Sequence, residues 1–163
     1  MDKILKALVD LIYGTNSKRK RFESQNNVSV IAADASKGII TKKNNDITRG
    51  TDWIVSQRAV ILLTEKQIVC GKWQIPIDNI SSATLVKIKS LLGGGQVLKI
   101  DTKDNESYQF GMQANDEWTN QNSLNLTVEN GKVKTSTFSW IIRIAVVGYL
   151  IYILLQKFGI IVN

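Results

Sequence analysis

The sequence predicts a mainly β domain followed by one membrane-spanning helix, and three observations carry that prediction. From Val28 to Phe110, short β-rich runs are separated by polar or glycine-containing turns, at the spacing of roughly 8 to 12 residues that marks a barrel or sandwich. A helical period appears before that region and not within it. Finally, residues 138–163 read FSWIIRIAVVGYLIYILLQKFGIIVN, which meets the roughly 20 apolar residues that a bilayer crossing requires.

At the amino terminus Ile4, Leu5, Leu8, Leu11 and Ile12 recur at helical spacing, with Lys3, Lys6 and Asp10 between them. Residues 2–13 therefore read as a short amphipathic helix that ends near Gly14. Such a helix either packs on the domain or contacts a membrane, and the pattern leaves both open. Asp10 interrupts the apolar stretch, which argues against a secretory signal. The block Lys18, Arg19, Lys20 and Arg21 follows, in a chain of formal net charge +7. It reads as a solvated flank or as a lipid-facing patch, where each cation near an anionic surface contributes about 1 kcal/mol.

The runs VSVIAA, GIIT, WIVS, AVILLT, QIVCG, ATLVKIK, VLKIDT and SYQF come next and are the candidate strands. Glu65-Lys66 and Lys103-Asp104-Asn105-Glu106 are turn sequences between them. Alternation puts Leu85, Lys87 and Lys89 on one face of their strand, and the two lysines are expected to decorate a solvent-facing sheet surface. Asn115, Asp116 and Glu117 are helix-start residues ahead of Trp118, which should anchor a short helix on the sheet. In LTVENGKVKTS, Asn130-Gly131 stands between alternating residues and predicts a hairpin.

Several chemistries lose their residues. With one cysteine, Cys70, and no histidine, the chain lacks an internal disulfide, the usual general base and the commonest zinc ligand. Gly93-Gly94-Gly95 is followed by Gln96-Val97 and a strand, not by the lysine, hydroxyl and helix of a phosphate loop. In DTKDNE a lysine occupies a ligand position and the turn glycine of a calcium loop is missing. No cofactor or metal is expected, and the chain reads as a binding protein and not an enzyme.

The terminal span contains Arg143 and Lys157, which leave residues 144–156 uncharged, about 20 Å as helix. Both charges lie near the ends, where long side chains snorkel to the headgroups. Phe138, Trp140, Tyr149 and Tyr152 supply aromatics, with Trp140 placed for an interfacial belt. Lys132, Lys134 and Arg143 before or at the first end outnumber Lys157 at the other, which puts the amino-terminal part on the cytoplasmic side. A buried helix and a helix lying in the surface are the alternatives; the segment has no polar stripe to suit the latter.

The segment AVILLTEKQIVCGKWQIPIDNISSATL resembles the GRAM and bacterial pleckstrin-homology-like families. Its pieces are an apolar strand ending in Leu63-Thr64, the turn Glu65-Lys66, the strand Ile68-Val69-Cys70, and Ile75-Pro76 leading to Ile80. The later VLKIDTKDNESYQFGM is similar to the family's paired strands around a polar hairpin. The resemblance implies a barrel of two nearly orthogonal antiparallel sheets with a capping helix at one corner, and lipid or peptide binding at a membrane. Lys37, Lys42, Lys43 and Arg49 only loosely suggest the basic loop that such domains use for inositol phosphates.

The expected organisation is a helix and basic flank at 1–27, a pleckstrin-homology-like domain at 28–122, a hairpin linker at 123–137 and a transmembrane helix at 138–162. The expected role is a tail-anchored, non-catalytic protein that binds lipid headgroups or a protein partner at the cytoplasmic membrane surface. Lys18, Arg19, Lys20, Arg21, Lys42, Lys43, Arg49, Lys87 and Lys89 are the candidates for anionic headgroups. The alternative is a structural adaptor in a membrane-protein assembly, without lipid recognition. Nucleic acid is not an expected partner, because the chain lacks a recognition helix and an aromatic-basic platform.

Overall fold

The computed structural model describes residues 2–41, 48–49, 56–88, 94–131, 134–135, 149 and 156. Two helices open the chain, α1 (Asp2–Tyr13) and α2 (Thr15–Asn26). Gly14 separates them at φ 63, a left-handed conformation that most side chains resist and that ends the first helix. α2 has no apolar stripe, and what is a basic flank in sequence is a helix in the fold. It is held instead by tertiary contacts.

The strands are β1 (Ala32–Thr41), β2 (Thr48–Arg49), β3 (Gln57–Leu63), β4 (Gln67–Cys70), β5 (Trp73–Pro76), β6 (Ile80–Ile88), β7 (Gly95–Thr102), β8 (Ser107–Gln113), β9 (Thr127–Gly131) and β10 (Lys134–Thr135). A 3-10 turn, Ile77–Asn79, links β5 to β6, and the four-residue helix α3 (Glu117–Asn120) follows β8. Among the described residues, eight strands form one curled sheet in the order β5-β4-β3-β1-β8-β7-β6-β9. All its pairs are antiparallel except β6 with β9.

β1 joins the two halves. Its residues 32–38 pair with β3 and its residues 36–41 pair with β8, so one bent strand serves two meanders. The expected pair of sheets is thus a single hydrogen-bonded sheet through β1. VSVIAA and GIIT, read as separate runs, contribute to one strand, and the polar residues Asp34 and Ser36 between them lie inside it. WIVS falls outside the described residues except for Ser56.

Val60, Ile61, Leu62 and Leu63 are all buried, which explains why this stretch is apolar without alternation. Ile61 and Leu63 enter the main core with Ile68, Cys70, Leu85, Leu98, Ile100, Phe110 and Trp118. Val60 and Leu62 belong to a second layer with Val30 and Ala33, on which Tyr13 and Phe22 of the two amino-terminal helices pack. Trp73 crosses to Tyr108 and Phe110 with edge-on rings 5.7 and 5.9 Å apart. Trp118 is fully buried, so α3 is pinned to the sheet by the residue the sequence singled out.

Asn130-Gly131 is not a hairpin turn. Both residues are in β9 and pair with Lys87 and Ile88 of β6, while Lys134 and Thr135 pair with β2. Gly131 lies directly over Val86, where a Cβ would overlap Val86 Cγ1. Close strand approach, not turn geometry, is what this glycine serves.

Candidate functional site

α1 is amphipathic as its spacing predicts, and it turns its apolar side to solvent. Ile4, Leu8, Leu11 and Ile12 share one face and are 77%, 53%, 79% and 70% exposed. Lys6, Asp10 and Tyr13 occupy the opposite face and are half-buried toward the domain. Lys6 Nζ donates to Asp10 Oδ2 at 2.6 Å and lies 3.6 Å from Asp34 Oδ1. The helix is therefore seated by charges and by Tyr13, with Ile4, Leu8, Leu11 and Ile12 left in solvent.

Asp34 is fully buried in β1, and neither of its carboxylate oxygens accepts a hydrogen bond. Burial pushes its pKa up from 3.8 to about 6, an effect opposed by the Lys6 ammonium and reinforced by the Asp10 carboxylate. The Asn115 amide and the Ala35 N–H lie near the carboxylate outside hydrogen-bond geometry and favour the anion more weakly.

β8 ends at Gln113, and side chains continue its ladder along β1. Asn115 Nδ2 donates to the Ala33 carbonyl at 3.1 Å, and the Ala33 N–H donates to Glu117 Oε2 at 3.0 Å. The other oxygen of Glu117 accepts from Arg19 Nη1 at 2.9 Å, and Arg19 Nη2 donates to the Val30 carbonyl at 2.5 Å. Glu23 of the same helix accepts from the Val30 N–H at 2.9 Å. Arg19 and Glu23 thus clamp α2 to the start of β1, which accounts for a polar helix docking on the sheet.

The basic block divides accordingly. Arg19 is a structural residue, and the expectation that all four cations face headgroups is corrected for it. Lys18, Lys20 and Arg21 are exposed and without an ion-pair partner among the described residues. Compared with known proteins, the chain matches no protein-family model and no curated sequence. The site therefore has to be read from its own geometry.

Lys87 is half-buried on the face of β6 that also carries Ala83 and Leu85, both in the core. That face is the inward one, and Lys87 sits at its rim opposite Gln96. The predicted lysine-decorated outer surface is corrected to this extent. Arg49 lies in β2 and pairs with Thr135, while Lys42, Lys43 and Lys89 fall outside the described residues. So do Phe138, Trp140, Arg143, Tyr152 and Lys157. Within the expected span only Tyr149 and Gln156 are described; both are helical and exposed. Among the described residues no helix is long and apolar enough to cross a membrane.

A cleft of about 490 Å³ opens between α1 and α3, lined by Lys6, Ile31, Asn115, Asp116, Glu117 and Gln121 among others. Lys6 and Glu117 are already committed to partners within the fold. Cys70 is buried, with Sγ 3.3 Å from Ser36 Oγ, and burial raises its pKa above the ordinary thiol value, as suits an inert core thiol. Sequence reasoning missed Asp34, Asn115 and Glu117 as a connected set. The sequence marks Asn115 and Glu117 as a helix start, which is only part of what they do.

Proposed function

We propose that this chain is a non-catalytic protein of the membrane surface, anchored by residues 138–162 with its amino-terminal domain on the cytoplasmic side. The β domain, read as a GRAM or pleckstrin-homology-like barrel, presents a surface to anionic headgroups or to a protein held there. The observation that carries the reading is α2, a docked helix on which Lys18, Lys20 and Arg21 stay exposed and without an ion-pair partner among the described residues, while Arg19 is drawn inward. Fixed cations near an anionic leaflet each contribute about 1 kcal/mol, and an anchor raises their effective concentration there.

The barrel reading is supported by two antiparallel meanders that share β1, and by the Thr64 turn. In that turn Thr64 Oγ1 accepts from the Lys66 and Gln67 N–H groups and donates to the Gln67 carbonyl. A short helix carrying a buried Trp118 after the last meander strand also fits. The parallel strand β9 and the two amino-terminal helices are additions to the expected plan.

Fractionation of cells that produce the full-length chain tests the function. The protein is expected with the membranes, resisting high salt and alkaline carbonate and yielding to detergent. Recovery in the soluble fraction would overturn the anchored reading. Stoichiometric recovery with a second membrane protein, together with indifference to lipid charge, would favour the adaptor role instead.

A further inference from the structure

We infer that α1 is an in-plane membrane helix, whose face of Ile4, Leu8, Leu11 and Ile12 enters the headgroup and acyl-chain boundary of an anionic bilayer. The inference deepens the surface reading above and rests on it. It commits one further surface of the domain to one kind of partner.

The argument begins with orientation. A helix that packs on a domain buries its apolar stripe and leaves its charges in water. α1 does the reverse: Lys6 and Asp10 are turned to β1 and the four large aliphatic residues are turned out. An isolated helix of this length is marginal in water, so its exposed stripe implies a cover. The stripe is continuous, because positions 4, 8, 11 and 12 lie on successive turns of one face.

Charge selects the cover. The helix that follows α1 after one residue carries Lys18, Lys20 and Arg21 exposed. A second copy of the chain would bring the same three cations to the contact. Residues 138–162 would bring Arg143 and Lys157 and no acid. An anionic bilayer complements both helices, with headgroups for the exposed cations and an acyl layer beneath for the aliphatic side chains. The two helices are also fixed to the same β layer through Tyr13 and Phe22, so both are presented by one rigid support.

The test uses the full-length chain reconstituted into liposomes of phosphatidylcholine with phosphatidylserine. A spin label is placed singly through Ile4→Cys, Leu8→Cys, Leu11→Cys or Gln74→Cys, and the native Cys70 is buried and spared from labelling. Labels at positions 4, 8 and 11 are expected to be accessible to oxygen and shielded from a water-soluble nickel chelate; the label at 74, on an exposed β5 residue, should show the opposite. The pattern should persist in 1 M salt, which screens the cations but not the apolar contact. If the chain is membrane-bound and the labels at 4, 8 and 11 behave like that at 74, the inference fails while the surface reading stands. Immobile labels shielded from both reagents would mean a protein cover and would equally overturn it. A chain that does not associate with the liposomes at all would overturn both readings.

Discussion

Gly38 lies against the indole of Trp73, so close that a Cβ at this position would overlap Trp73 Cζ3 and press on the Phe110 ring at 3.0 Å. Gly38 is also where β1 is paired on both edges, with Gln57 of β3 and Phe110 of β8. The sheet curls here because one strand turns between two partners, and the inside of the curl is filled by Trp73. The small residue is required by the aromatic that crosses to it. Gly38→Ala should therefore destabilise the domain by about 1–3 kcal/mol, the usual cost of overpacking a filled core. Gly38→Val should cost more, because its branched side chain brings two further carbons against Trp73 and Phe110. Urea midpoints at constant slope measure both; an unchanged midpoint for the alanine variant would mean that the indole moves freely.

The division of the basic block makes a second prediction, with two readouts that should move separately. Arg19→Ala removes hydrogen bonds to Glu117 and to the Val30 carbonyl, at a cost of about 1–2 kcal/mol in stability once solvent screening at the half-exposed Glu117 is allowed for. Combined Lys18→Glu, Lys20→Glu and Arg21→Glu should leave the urea midpoint nearly unchanged. The same triple variant should weaken binding to phosphatidylserine liposomes, measured by co-flotation of protein ending at Ser136 with native circular dichroism. If the triple variant binds as well as the parent, the exposed cations are a solvated flank.

Much of this fold is legible in the sequence, and the failures have identifiable physical causes. The apolar run at Val60 to Leu63, the turn after Leu63-Thr64 and the anchor Trp118 are strong because burial, turn chemistry and side-chain size point the same way. Asp34 defeats the pattern: a carboxylate looks like a strand break, yet it is carried into the interior beside an ammonium from α1, a partner 28 positions earlier in the chain. Asn130-Gly131 has the composition of a hairpin and is used as strand, because Val86 needs a neighbour without a side chain. α2 has no hydrophobic period to detect, since its docking rests on Arg19, Glu23 and a single aromatic, Phe22. The outward face of α1 is the clearest case. Periodicity reports that a helix has two faces, but not which of them meets the protein.

Trp118 gives a third prediction. Its side chain is fully buried and its indole N–H has no hydrogen-bond partner. Trp118→Ala should destabilise by about 3–5 kcal/mol, as expected when a large aromatic leaves a cavity. Trp118→Phe loses volume and also removes the unsatisfied donor, so its cost should be well under half of that. Thermal or urea unfolding of the two variants checks the ratio. Equal costs would mean that the indole N–H is satisfied by ordered water, which a phenyl ring cannot replace.

Asp34 sets the fourth prediction, an acid dependence of opposite sign to the common one. A carboxyl group whose pKa rises from 3.8 to about 6 on folding binds more protons in the folded than in the unfolded state across that interval. Stability then falls as pH rises through the interval, and the ionised group at pH 7 costs on the order of 3 kcal/mol relative to its protonated form. Most paired carboxylates do the reverse and make acid destabilising, so the Asp34 contribution is isolated by difference. Unfolding free energies of the parent and of Asp34→Asn, measured from pH 4 to pH 7, should diverge as pH rises from about 4 to about 6, with the variant gaining on the parent across that interval and the difference levelling off above it. The asparagine adds a constant offset of its own, since its amide has no partner in place, but an offset does not vary with pH. Parallel curves would mean that Asp34 titrates at an ordinary value, and that the Lys6 ammonium fully offsets its burial.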